Sequence, residues 1–338
     1  MRRRLRQGGW AVVCLAVTLF LFWPWLPWVS GPPRRTVTLY GFSILGDVIN
    51  RGVFPAFARH WEKSTGEKVE LISAFAGSGT VTNQIRLGVP AQVAILSLEL
   101  DALSLEQAGV LGGPTWRELP QQGILNQTPF VILVRPGNPK GITDFDSLAK
   151  PGIGVVHPDP LTSGGAQWAV LAEYGSALMT GGDSSQATER LAGVWRNVVA
   201  QASSARSART QFEGGFGDAL ITYEQELVVE DRLNGEIVYP RSTILSDHVV
   251  VVIERNIKPE DRDLIEAFVE YLWSREAQQI FVDYGFRSAD PALNASNPRL
   301  AKIERPFTVR DLGGWVQAKR SIVDEIWKRQ VLVQVGKS

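Results

Sequence analysis

Short apolar runs that alternate with amphipathic helical segments constrain the fold of this 338-residue chain more than any other feature. The strand-like runs are 36–40, 69–73, 93–96, 129–134, 153–157, 219–223 and 249–253. The helical patterns between and after them are 47–63, 80–87, 166–178, 188–199, 225–234, 259–284 and 308–328. Strands separated by helices predict an α/β fold with parallel sheets that carry helices on both faces.

Composition excludes several classes of protein. Hydrophobic residues make up 44% and charged residues 21%, values that argue against a disordered chain and against a polytopic membrane protein. Lysine plus arginine and aspartate plus glutamate both count 35, so the basic excess of a nucleic-acid-binding protein is missing. One cysteine and three scattered histidines favour neither a disulfide framework nor a metal site. We therefore expect no metal, no cofactor and no nucleic-acid partner.

The N-terminal 33 residues have the pattern of an export segment. Arg2, Arg3, Arg4 and Arg6 precede a nearly unbroken apolar run over residues 10–29. Such a segment predicts an apolar helix that is either a cleaved signal peptide or an uncleaved membrane anchor. In both cases the arginines stay on the cytoplasmic side and the body lies outside the cytoplasm, periplasmic or otherwise extracytoplasmic. Membrane contact through this segment is expected only for the anchor.

The length of the body predicts two domains rather than one. Chain crossings near 126–131 and 243–250 would divide it into two lobes around a central ligand cleft. Residues 34–125 would form the first part of lobe 1 and residues 126–245 lobe 2, while 246–338 would complete lobe 1 and add a C-terminal helix. Ligands of such folds bind at the carboxyl ends of strands, beside helix N-termini.

Three segments rich in glycine and serine lie between a strand and a helix. They are 75–80 (FAGSGT), 160–168 (PLTSGGAQW) and 203–207 (SSARS). A helix N-terminus exposes backbone N–H groups and carries a partial positive charge, so each segment can hold an anion with neutral groups. No lysine follows in a phosphate-loop pattern. Each segment taken alone also fits an ordinary helix cap.

These segments resemble periplasmic sulfate-binding proteins. Residues 162–168 (TSGGAQW) are similar to the TSGGARW stretch of that family, and 76–79 (AGSG) to its GGSG element. Further similarities, in the same order along the chain, are 134–140 (VRPGNPK) to LVRKGNPK, 204–208 (SARSA) to GARGA and 217–221 (GDALI) to GDVLI. The resemblance covers roughly residues 39–287, and its TSGGAxW stretch is specific.

The resemblance implies a type II periplasmic binding-protein fold that holds a dehydrated sulfate between its lobes. Matched position by position, Ser78 and Ser163 would supply hydroxyl groups. Gly164, Gly165 and Ala205 would supply backbone N–H groups. Arg206 would support the site from behind through an ion pair, without touching the anion.

Two positions depart from the family. Its SYDPTREL element has an aspartate where this chain has Ser43, and the family uses the backbone N–H of that residue. Its IAWENE element has tryptophan where this chain has Tyr223, whose O–H would replace the indole N–H as a donor. Both changes keep the class of anion and leave its identity open.

A site made only of donors suits sulfate, which carries no proton at neutral pH. Hydrogen phosphate needs an acceptor, and the matched residues provide none. Thiosulfate, selenate, molybdate and tungstate satisfy the same condition. A buried dianion also requires that every oxygen be hydrogen-bonded.

The resemblance therefore predicts a non-enzymatic protein that delivers a sulfate-type oxyanion to an ABC importer. Its partners would be the permease subunits and their ATPase. A membrane-tethered oxyanion sensor is a second hypothesis. An exported enzyme is a third, but the sequence shows no Ser/His/Asp arrangement and hence no catalytic residue.

Overall fold

The computed structural model describes residues 34–112, 116–230 and 233–336. The predicted apolar helix within residues 1–33 lies outside the described residues. Within the described ranges, no helix is long and apolar enough to cross a membrane.

Ten strands of the described chain form one mixed sheet. They are β1 (Thr36–Phe42), β2 (Glu70–Ala76), β3 (Val93–Leu96), β4 (Ile124–Val134), β5 (Val155–Pro158), β6 (Val198–Ala202), β7 (Ala219–Tyr223), β8 (Glu236–Val238), β9 (Ser242–Val252) and β10 (Arg305–Phe307). Their order is β2-β1-β3-β9-β4-β7-β5-β6, with β10 beside β9 and β8 beside β4.

The sheet has two halves that are joined by its two longest strands. Strands β1, β2 and β3 run parallel and form the first half, and β5, β6 and β7 run parallel and form the second half. Strand β4 runs antiparallel to β9 through residues 124–129 and antiparallel to β7 through residues 130–134. Strand β9 in turn runs antiparallel to β3. The expectation of purely parallel sheets is therefore wrong at these two connecting strands.

The apolar pattern missed the first part of β9 because that part contains polar residues. The sequence predicts a strand only over 249–253, whereas β9 begins at Ser242. Thr243 Oγ1 donates to the Phe130 carbonyl oxygen at 2.7 Å, and Ser246 Oγ donates to the Thr128 carbonyl oxygen at 2.7 Å. Buried hydroxyl groups with backbone acceptors avoid the cost of desolvation, so this strand is buried without being apolar.

The α-helices of the described chain lie largely where the 3.6-residue period predicts them. They are α1 (Phe54–Thr65), α2 (Ser78–Arg86), α3 (Glu99–Gln107), α4 (Phe145–Leu148), α5 (Gly164–Met179), α6 (Ser184–Arg196), α7 (Ala205–Glu213), α8 (Gln225–Val228), α9 (Arg262–Leu272), α10 (Arg275–Asp283), α11 (Pro291–Asn294), α12 (Gly314–Ala318) and α13 (Leu332–Gln334). Segments with π-type hydrogen bonds precede α1 (Val48–Val53) and follow α12 (Lys319–Val331).

One predicted helix is two. The pattern over 259–284 predicts a single helix, but α9 ends at Leu272 and α10 begins at Arg275. Ser274 separates them, because its Oγ accepts the Ala277 N–H at 3.2 Å as an N-cap. A capping serine inside a continuous apolar period is a local stop that the periodicity does not register.

The C-terminal tail packs on the second half of the sheet. The Trp315 ring lies 4.4 Å from the Trp168 ring of α5, and the Trp327 ring lies 5.0 Å from the Trp195 ring of α6. The tail thus covers helices α5 and α6, a placement that the sequence left open. The lobe boundaries at 125/126 and 245/246 stay a prediction.

Candidate functional site

All the predicted site residues lie at or just beyond the carboxyl end of a strand. Ser43 follows β1, Ser78 follows β2, and Tyr223 is the last residue of β7. Segment 163–165 follows β5, and Ala205 follows β6. Since the strands within each half are parallel, these ends gather at one edge of each half.

Gly77 shows that loops from the two halves meet. A Cβ atom placed on Gly77 would lie 2.4 Å from the Thr162 carbonyl oxygen and 2.6 Å from the Ser203 carbonyl oxygen. No residue with a side chain fits at such a distance from backbone atoms. All three glycine- and serine-rich segments therefore converge at one point, as their shared chemistry predicts.

Two serines of the second half cap the helices that begin where the three segments converge. Ser163 Oγ accepts the Ala166 N–H at 3.3 Å at the start of α5. Ser204 Oγ accepts the Ser207 N–H at 3.1 Å at the start of α7. The first N–H groups of a helix have no acceptor within it, so those of Gly164, Gly165 and Ala205 remain suited to a ligand.

The Ser78 hydroxyl has partners inside the protein. Its Oγ donates to the Asp101 carboxylate at 2.5 Å and accepts the Ser97 N–H at 3.0 Å. Burial raises the pKa of the Asp101 carboxyl to about 6, while the hydrogen bonds from Ser78 and Thr82 oppose that rise. The sequence missed this acceptor, because Asp101 lies on α3 and not in a glycine-rich segment.

Tyr223 is fully buried between the two halves. Its ring lies 4.5 Å from the Phe130 ring, and its hydroxyl oxygen lies 2.8 Å from Ser97 Oγ. A Cβ atom on Gly165 would lie 2.9 Å from the Tyr223 hydroxyl oxygen, so that hydroxyl borders the start of α5. Burial raises the pKa of Tyr223 above its usual value, which keeps the hydroxyl protonated and able to donate.

Ser43 occupies the first position of a short 3-10 helix, Ser43–Leu45, and is half-buried. The residue before it, Phe42, offers no side-chain cap to that turn. The backbone N–H of Ser43 therefore has the same uncapped setting as the start of α2.

Arg206 forms ion pairs and leaves the donors of the site neutral. Its guanidinium lies 2.9 Å from Glu226 Oε1 and 3.3 Å from Asp47 Oδ2. Burial raises the pKa of Glu226, and the charges of Arg206 and Arg209 oppose that rise. This arrangement agrees with the ion-pair role expected for Arg206.

Other polar side chains of the second half also have structural partners. His157 is buried, with Nδ1 2.6 Å from the Pro158 carbonyl oxygen and Nε2 3.1 Å from Glu173 Oε1. Asp144 caps α4, since its Oδ1 accepts the Phe145 N–H at 2.7 Å. In the described part of the chain, no group of three His, Cys, Asp or Glu side chains could hold a metal ion.

Comparison with known proteins shows the family to which this chain belongs. The family model for bacterial extracellular solute-binding proteins matches residues 50–287. A sulfate-binding protein of Synechococcus elongatus is 36% identical over 299 residues, which are 86% of this chain and 84% of that protein. A thiosulfate-binding protein of Pseudomonas aeruginosa is 30% identical over 275 residues, covering 79% of this chain and 83% of that protein.

A solved structure of a sulfate-binding protein has a similar fold. The sulfate-binding protein SubI from Mycobacterium tuberculosis H37Rv superposes with a TM-score of 0.76 at 27% identity, over 85% of this chain and 99% of that chain. The chain belongs to the bacterial extracellular solute-binding proteins, and within them to the family of the sulfate- and thiosulfate-binding proteins of ABC transport. Its mixed α/β fold is periplasmic binding-protein-like. The resemblance drawn from the sequence is thereby confirmed.

Proposed function

We propose that this protein binds a sulfate-type tetrahedral oxyanion outside the cytoplasm and delivers it to an ABC importer. The anion would lie in a central cleft between two lobes of a type II fold. One lobe would contain the first half of the sheet and the other the second half, with β4 and β9 as the connections. The partners would be permease subunits with their ATPase, and the N-terminal segment would direct export.

The convergence of helix starts from both halves carries the proposal. The contact of Gly77 with Thr162 and Ser203 brings the start of α2 to the starts of α5 and α7. Backbone N–H groups of Ser43, Gly164, Gly165 and Ala205 would then surround one anion, with the Ser163 and Tyr223 hydroxyls beside them. The Ser78 hydroxyl, whose proton goes to Asp101, would order the start of α2 and would not donate to the anion. Neutral donors at helix N-termini stabilise an anion by local dipoles without a counter-charge in contact.

Thiosulfate is a second candidate ligand, because thiosulfate-binding proteins are among the relatives. It has the same charge and the same lack of a proton, with one oxygen replaced by sulfur. The two anions would compete for one site. Because sulfur is larger than oxygen, their affinities would differ.

Isothermal titration of the exported protein, freed of bound anions, tests the proposal. We expect micromolar or tighter binding of sulfate or thiosulfate and weak binding of phosphate. Gly164→Asp should abolish this binding, because it sets a carboxylate where a Cβ atom alone would lie 2.8 Å from Ser97 Oγ. Gly46→Ala is the matched control, since its Cβ would meet nothing closer than 3.6 Å. Absence of heat with every tetrahedral anion would refute the proposal.

A further inference from the structure

Ser97 lies where contacts from both halves of the sheet meet. It directly follows β3 of the first half and is fully buried. Its carbonyl oxygen accepts the Trp168 Nε1–H of α5 at 2.7 Å, and its N–H donates to Ser78 Oγ at 3.0 Å. Its hydroxyl lies 2.8 Å from the Tyr223 hydroxyl of the second half. Ser97 thus connects two predicted ligand residues that belong to different halves.

The Ser97 and Tyr223 hydroxyls hold one proton more than their mutual bond needs. Each hydroxyl carries one proton, and one of the two protons forms the bond between them. Among the described residues, neither hydroxyl has a second hydrogen-bond partner. A fully buried O–H group without an acceptor is unfavourable, so the remaining proton calls for an acceptor from a ligand.

The position of this pair points to the anion. A Cβ atom on Gly164 would lie 2.8 Å from Ser97 Oγ, and one on Gly165 would lie 2.9 Å from the Tyr223 hydroxyl oxygen. Gly164 and Gly165 are the two residues whose N–H groups begin α5. The unshared proton therefore lies beside Gly164 and Gly165, the residues whose N–H groups the proposed function assigns to the anion.

We propose that Ser97 is a further residue of the anion site, which with Tyr223 forms a hydroxyl pair that supplies one O–H donor to the bound anion. This inference rests on the proposed function. Either oxygen can accept from the other, so the pair can direct its donor from the Ser97 side or from the Tyr223 side. Since the two residues come from different halves, the same bond also holds the halves together around the anion.

The pair should act as a unit. Removing either hydroxyl removes the mutual hydrogen bond and leaves the other O–H group free to rotate away from the anion. We expect Ser97→Ala and Tyr223→Phe each to weaken sulfate binding by about tenfold, close to the value of one hydrogen bond. The double variant should be weakened by much less than the product of the two effects, because the second change removes a group already uncoupled from its partner. Faster dissociation should account for most of the loss.

A double-mutant cycle tests this inference. Titration calorimetry and stopped-flow dissociation are measured with sulfate for the unaltered protein, both single variants and the double variant, and thermal unfolding monitors the fold. Ser176→Ala is the matched control, because Ser176 is buried in α5 and its hydroxyl has no hydrogen-bond partner in the described chain. It should leave the affinity unchanged.

The outcomes separate the two proposals. Independent effects that multiply in the double variant, or wild-type affinity in Ser97→Ala, would overturn the role of the pair while sulfate binding stands. If Ser97→Ala does not fold, Tyr223→Phe removes the same bond from the other side, and wild-type affinity in that variant would also overturn it. Failure of the unaltered protein to bind any tetrahedral anion would refute the proposed function itself.

Discussion

The two halves of the sheet order the groups proposed to bind the anion in different ways. In the second half, Ser163 and Ser204 cap α5 and α7 with their own side chains. In the first half, the residues that precede the helical turns are Gly77 and Phe42, and neither gives a side-chain cap. The second half thus orders its N–H groups by local bonds, whereas the first half depends on contacts across the sheet. Under the proposed function, the second half would offer ordered donors by itself, and the first half would offer them only through its contacts with the second.

The carboxylates near the helix starts of the two halves differ as well. Glu226 of the second half is fully buried beside the charges of Arg206 and Arg209. Among the described residues, Asp101 of the first half has hydroxyl partners and no basic partner, and burial raises its pKa to about 6. Burial therefore raises the pKa of both carboxyls, but basic side chains oppose that rise only at Glu226.

The largest effect is expected where the halves touch. A Cβ atom in Gly77→Ala would lie 2.4 Å from the Thr162 carbonyl oxygen and must push the two loops apart. Strain of about 2–3 kcal/mol would weaken sulfate binding by roughly 100-fold. Thermal unfolding of the anion-free protein should change little, because separation of the halves relieves the strain. Wild-type affinity in calorimetry would show that the halves do not need this contact.

The next effect concerns the pH dependence of the first half. The pKa of Asp101 is raised by burial, so its contribution to stability is full below its unfolded value and is lost as pH rises through about 6. Asp101→Asn removes this titration, while the Asn carbonyl oxygen can still accept the Ser78 hydroxyl. Between pH 4.5 and pH 7.5, the titration of Asp101 should lower the unfolding free energy of the unaltered protein by about 2 kcal/mol. The variant should not show this loss.

Urea unfolding at several pH values measures this difference. Ser104→Ala, on the same helix, removes no titrating group and is the control, so it should keep the pH dependence of the unaltered protein. An identical pH profile for Asp101→Asn would contradict the difference drawn between the two halves.

The smallest effect concerns the caps of the second half. Ser204→Ala removes the cap of α7 and should lower the unfolding free energy by about 1 kcal/mol. Sulfate affinity should fall only a few-fold, because the Ala205 N–H remains and is merely less well oriented. Urea unfolding with calorimetry checks both. A loss of affinity as large as that of Gly77→Ala would mean that the second half is not ordered by its caps.

The sequence predicted what local patterns encode. Glycine and serine between a strand and a helix mark Ser78, Gly164 and Ala205 because a tight approach and a helix start need those residue types there. Ser97 and Asp101 escaped notice, since a serine after an apolar strand and an aspartate in a helical segment have no special local pattern. Their contacts arise from tertiary packing that brings β3 and α3 against α2, α5 and β7.

The same limit applies to the fold. The period of apolar residues predicted most helices, but it missed the buried polar part of β9 and the stop at Ser274. It also did not predict where the C-terminal tail packs, since Trp315 and Trp327 contact helices far away in sequence. Side-chain hydrogen bonds and long-range packing, rather than propensity, decide these features.

The central claim is that neutral N–H groups from both halves hold one anion. Amide nitrogen and proton shifts of the protein, followed by NMR during titration with sulfate, test this most directly. We expect the amide signals of Ser43, Gly164, Gly165 and Ala205 to shift together and to saturate at one equivalent of sulfate. Shifts confined to one half, or largest at arginine side chains such as that of Arg206, would contradict it.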